Sequence, residues 1–139
     1  MDIARKKIEL PTDELRKLGV ALAYLFGSQA EGAAGPSSDI DVGVVFSDPA
    51  ALAGDTSETY NRLYNVFSDV FDMENFRNMD IVFLERAPLE LRFDAITHGI
   101  PLFEASSDVR LDFEERTAAL YRDFQPLLRE FNRAVMERI

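Results

Sequence analysis

Apolar residues fall into short continuous runs in some segments of the chain and into three- and four-residue spacing in the segments between and after them. The run Val20–Phe26 has the length and content of a buried strand, and a second apolar run ends at Phe46 behind Asp39-Ile40-Asp41. A third, residues 80–84, follows Met79 and predicts another strand, and residues 100–103 are long enough only for an edge segment. Between them lie two helical patterns. Tyr60, Leu63, Tyr64, Phe67, Val70 and Phe71 form a stripe across 57–74, and Pro88 stands in the first turn of a helix that ends near His98-Gly99. Thr12-Asp13-Glu14 opens a short helix that Gly19 follows, and Asp48-Pro49 and Gly54-Asp55 mark a loop.

From 106 onward the pattern is helical, with Ser106 or Ser107 as cap and Asp108 in the first turn. Val109, Phe113, Leu120, Phe124, Leu127, Leu128, Phe131 and Val135 repeat at three and four residues. Pro126 predicts a kink or break near Phe124-Gln125. Most of this stripe is expected to be core packing, with 127–139 the part that suits a partner interface. The layout is an α/β domain spanning 1–139: a βαβ-rich core, a small mixed sheet flanked by helices, and a helical tail at about 106–139.

Composition narrows the chemistry. A chain of 139 residues with 47% hydrophobic content can bury one core without staples. It has no Cys and one His, which excludes a disulfide framework, a thiolate metal site and an imidazole cluster for zinc, leaving oxygen-ligated metal. No signal peptide or long apolar stretch appears, so a cytoplasmic protein is expected. A net charge of −10 opposes sequence-independent binding to nucleic acid and favours a protein partner, a basic one by charge.

The candidate chemistry sits between the first two runs. Phe26 gives way to Gly27-Ser28, where a glycine allows close backbone approach and a serine can cap a following helix; backbone N–H groups at such a turn form an anion cradle. After a ten-residue spacer come Asp39 and Asp41, which alternation on a strand turns to one face. An isolated Asp-x-Asp after Ser-Ser is ordinary turn chemistry. Strand, Gly-Ser, glycine-bearing connection and Asp-x-Asp at the head of a second strand together are a far more demanding pattern. Paired carboxylates near a phosphate cradle suit a hard divalent cation such as Mg²⁺, which takes oxygen ligands from one or two carboxylates and substrate phosphates. Asp80 leads a later apolar strand, where a lone acid is by itself more often a turn or cap residue than a catalyst. Asp69, Asp72 and Glu74 fall in a helical pattern and read as solvated.

Gly27-Ser28, the spacer and Asp39-Ile40-Asp41 resemble the signature of the DNA polymerase β-like nucleotidyltransferase superfamily. Within it, the short chain and Phe26-Gly27-Ser28-Gln29-Ala30-Glu31-Gly32 resemble the minimal nucleotidyltransferases (MNT), antitoxin partners of HEPN-domain ribonuclease toxins. The resemblance is strong over 20–46 and looser over 77–104. It implies a catalytic and metal-ligating set of Asp39, Asp41 and Asp80, two Mg²⁺ ions, and Gly27 and Ser28 as the cradle for the ATP phosphates. It also implies an activity: transfer of AMP from ATP to a hydroxyl, a tyrosine of the cognate HEPN toxin, which silences the RNase. Many relatives carry Arg in the Gly-Ser segment where this chain has Gln29 and Glu31, so neutralisation of the triphosphate falls on metal ions and backbone N–H groups.

Two rival functions fit the same core. One is an antitoxin that blocks its toxin by coverage alone. The other is a small-molecule nucleotidyltransferase of the aminoglycoside-modifying type, for which the chain leaves little length to build an acceptor pocket. Other tempting residues have simpler readings. His98 suits a helix terminus, Tyr60, Tyr64 and Tyr121 suit core or partner contacts, and Arg5-Lys6-Lys7 suits a solvated face.

Overall fold

The computed structural model describes residues 10–27, 40–71 and 78–138. Helix α1 (Thr12–Lys17) leads into strand β1 (Val20–Phe26), and β2 (Ile40–Phe46) follows. Helix α2 (Ser57–Val70), strand β3 (Met79–Phe83), helix α3 (Leu89–His98), strand β4 (Ile100–Glu104) and helix α4 (Ser107–Glu137) complete the order. The four strands form one sheet in the order β3-β2-β1-β4. β1 and β2 are antiparallel, as are β1 and β4, while β2 and β3 are parallel across the α2 crossover. The expected βαβ character is therefore confined to one unit, β2-α2-β3.

All seven residues of β1 are buried because it has a strand on each side and helices on both faces. On one face Ala23 and Leu25, with Val42, Val44 and Ile81 from β2 and β3, pack with Leu15 of α1 and Leu63, Val66 and Phe67 of α2. On the other, Leu22, Tyr24 and Phe26 meet Ala95 of α3 and Phe113 of α4. A strand covered on both faces needs no polar alternation, which is why β1 reads as a continuous apolar run. β4 is an edge strand, as its length predicts.

Helix boundaries follow the expected signals closely. The Ser106 hydroxyl caps α4 by accepting from the Val109 backbone N–H at 3.2 Å. α2 ends at Val70, where Phe71 turns extended; Asp72 and Glu74 of the expected 57–74 helix lie outside the described residues.

Helix α4 continues through Pro126, so of the kink or break expected near Phe124-Gln125 the break is overturned. The proline leaves the Arg122 carbonyl without its helical donor, and both residues are exposed, so water can supply the missing hydrogen bond. The apolar stripe is also mostly uncovered: Phe113 and Thr117 are the buried residues of the helix, whereas Leu120, Leu127, Phe131 and Met136 are 52–68% exposed. Length is the reason. Thirty-one residues at 1.5 Å per residue give about 46 Å, against about 23 Å for a seven-residue strand. Only the first half of α4 has a sheet to lie on.

Candidate active site

Strand β2 enters the sheet at Ile40, whose N–H donates to the Asn78 carbonyl at 2.8 Å, and this pairing sets the parallel register Ile40↔Met79, Asp41↔Asp80, Val42↔Ile81. Residues opposite each other in parallel strands share a face, about 4.8 Å apart in the pairing direction. Asp41 and Asp80 are therefore brought together at the head of their strands. Asp41 is half-buried in a strand whose other six residues are buried, and Asp80 is exposed between the buried Met79 and Ile81.

The end of β1 closes the third side. Phe26 pairs with Asp41, so the turn that follows lies against the Asp41 carboxylate. Gly27 has φ +80°, a conformation L side chains rarely adopt, and a Cβ built there would stand 2.6 Å from Asp41 Oδ2. Both its backbone angle and its contact require glycine. Ser28 and Asp39 lie outside the described residues, as do Gln29, Glu31 and Arg5-Lys6-Lys7. Of the five expected site residues, the structure thus places Gly27, Asp41 and Asp80 side by side.

One neighbour carried no separate signal in the sequence. The Tyr60 hydroxyl, reaching from α2, donates to Asp80 Oδ1 at 3.2 Å. Burial first, and then the Asp80 charge beside it, raise the Tyr60 pKa above its ordinary value, against the lowering effect of a hydrogen bond with the Ile81 backbone. A tyrosine one turn before Tyr64 on an apolar stripe looks like core, and only the fold shows that its polar end meets an acid.

The donor set is hard oxygen from opposed carboxylates, which fits Mg²⁺ and does not fit a thiolate- or imidazole-loving metal. Among the described residues no group of three or more His, Cys, Asp or Glu is gathered tightly enough to hold a metal. The described acids here are a pair, Asp41 and Asp80. His98 is exposed and contacts Asp94 one turn earlier on α3, at 3.0 Å, rather than the last helix carbonyls. Asp69 is exposed, and Tyr121 stacks on Phe93 with ring centres 3.9 Å apart.

The fold and this arrangement of acids define a class. The family model "Polymerase beta, Nucleotidyltransferase" matches residues 12–108, which include all four strands and the first three helices, and the chain belongs to that family. It is a nucleotidyltransferase. A crystal structure of a toxin–antitoxin with AMP-PNP is similar at 25% identity and TM-score 0.63, over 91% of this chain and 99% of that one. A mutant MntA toxin–antitoxin structure is similar at 26% identity and TM-score 0.63, over 92% and 99%. Tri-AMPylated Shewanella oneidensis HEPN toxin in complex with MNT antitoxin shares the fold, at 24% identity and TM-score 0.59, over 90% and 95%. No curated protein matches in sequence. Among the described residues no helix is long and apolar enough to cross a membrane.

Proposed function

We propose that the chain is an MNT-type antitoxin that transfers AMP from ATP to a hydroxyl of a cognate HEPN ribonuclease toxin, a tyrosine by family resemblance, and so silences it. The observation that carries the reading is the register placing Asp41 opposite Asp80 with the Gly27 turn against Asp41. Asp39, Asp41 and Asp80 would hold two Mg²⁺ ions. Bound there, the ions would neutralise triphosphate charge and favour ionisation of the acceptor hydroxyl. Asp80, the more exposed acid, accepts the acceptor's proton as a general base. The acceptor oxygen attacks the α-phosphorus in line, the bond to the β-phosphate oxygen breaks, and pyrophosphate leaves. Gly27 and Ser28 cradle the β- and γ-phosphates through backbone N–H groups.

The toxin as acceptor is supported by similarity to toxin–antitoxin structures at 25–26% identity, one of them with AMP-PNP. It is also supported by the uncovered apolar stripe of α4, which suits a protein partner better than a small acceptor. Such a stripe serves coverage as well as catalysis, so the test must separate the two. Asp80→Asn should slow transfer of labelled AMP to the cognate toxin by at least about a hundredfold, the scale of a positioned base, while still binding the toxin. Toxin modified by the wild-type protein should stay silent after the antitoxin is stripped away. An Asp80→Asn variant that protects as well as wild type, with RNase activity returning on its removal, would establish coverage as the mechanism.

A further inference from the structure

Tyr60 and Tyr64 sit one turn apart on α2 and nothing in the sequence distinguishes them, yet the fold gives them different surroundings. The Tyr60 ring is held on two sides, stacked on Tyr64 with centroids 6.4 Å apart and meeting Phe83 edge-on at 6.3 Å and 84°. A ring packed in this way has little rotamer freedom left. Its hydroxyl therefore has a fixed place, and that place is 3.2 Å from Oδ1 of Asp80. Asp80 by contrast is exposed on edge strand β3, where a short carboxylate can otherwise rotate freely in water.

We propose that Tyr60 is a positioning residue for nucleotidyl transfer: its hydroxyl locks the Asp80 carboxylate in the orientation it needs opposite Asp41. The inference rests on the reading of Asp80 given above. A phenol carries its proton at neutral pH, so the Tyr60 hydroxyl is a donor to the Asp80 carboxylate. Donors that orient an acidic ligand from outside the ligand set commonly contribute about 10–100-fold in metal affinity or activity. Tyr60 thus joins α2, the crossover helix, to the strand whose acid does the work.

The decisive comparison uses Tyr60→Phe, which keeps both ring contacts and deletes only the hydroxyl, with Tyr64→Phe and Asp80→Asn beside it. Mn²⁺ alone is titrated into the full chain and followed by electron paramagnetic resonance, and AMP transfer is measured with the cognate toxin. Tyr60→Phe should bind Mn²⁺ at least about tenfold more weakly and lose kcat on a similar scale, with KM for ATP and thermal stability near wild type. Tyr64→Phe should match wild type in every readout. If Asp80→Asn is inactive but Tyr60→Phe keeps wild-type Mn²⁺ affinity and kcat, the positioning role is wrong and the functional reading stands. If Asp80→Asn transfers AMP at the wild-type rate, the functional reading falls and this inference falls with it. AMP found on Tyr60 of the wild-type chain after turnover would also overturn the proposal, because the hydroxyl would then be an acceptor.

Discussion

At the scale of single residues, the site depends on how tightly three backbones approach one another. Gly27 ends β1 in a left-handed conformation and leaves no room for a Cβ against Asp41 Oδ2. Gly27→Ala should therefore act twice. The backbone conformation alone costs about 1–2 kcal/mol for an L-residue, and the added methyl must push the Asp41 carboxylate aside. Chemical denaturation should show that modest loss of stability. Activity assayed on the folded variant should fall much further, because a misplaced ligand costs more than the strain that displaced it. If activity falls only as far as stability does, Gly27 is a tight-turn residue and nothing more. Gly43 is different: a Cβ there would meet the Leu84 side chain at 2.9 Å, in the core rather than against an acid. Both glycines are plain in the sequence, but which one touches a carboxylate is decided by the pairing of distant strands.

At the scale of elements, strand positions were the most legible feature of the chain. Runs covered on both faces lose all polar interruption, so Val20–Phe26 coincides with β1 and the acids mark the heads of β2 and β3. Pairing was not legible. That β1 and β2 run antiparallel, and that Asp41 faces Asp80, depends on contacts between segments with no local signature, and the Tyr60 contact inherits that obscurity. Glu85 is a further case. It follows β3 in a short 3-10 turn, and its Oε2 accepts from the Phe46 N–H at 2.9 Å, tying the end of β2 to the segment after β3. Burial raises its pKa above the ordinary value, outweighing that hydrogen bond and the Arg86 charge. For an acid with a raised folded-state pKa the charged form is disfavoured by folding. No penalty exists below the unfolded pKa, and stability is lost as pH rises through the folded one. Glu85→Gln keeps an acceptor for Phe46 without the charge. It should melt at a higher temperature than wild type at pH 7, and the difference should close below about pH 4, where the ordinary carboxylate pKa is passed. A difference independent of pH would mean that packing, not charge, governs the site.

At the scale of the whole molecule, the sheet and α4 do not match in length, and the mismatch leaves an apolar helix face uncovered. Phe113 and Thr117 lie against the body, and the same three- and four-residue repeat continues through Leu120, Phe124, Leu127 and Phe131 into solvent. The stripe made core packing the simpler expectation because periodicity reports that a helix face is apolar, not what covers it. A helix that keeps its apolar face past the end of the sheet it packs on is suited to receiving another helix, through anchors spaced at three and four residues. With a net charge of −10, the chain also favours a basic partner at long range. Leu127→Glu combined with Phe131→Glu should therefore leave the isolated protein as stable as wild type, since both side chains are already more than 60% exposed. Surface changes of this kind usually stay within about 0.5 kcal/mol each. The same variant should lose at least about tenfold in affinity for the cognate toxin by calorimetry, because anchors buried at an interface commonly contribute more than 1 kcal/mol each. Loss of stability in the isolated chain would show that the stripe packs internally in solution. Undiminished toxin affinity would move the interface to another face and leave the exposure of α4 without a partner to explain it.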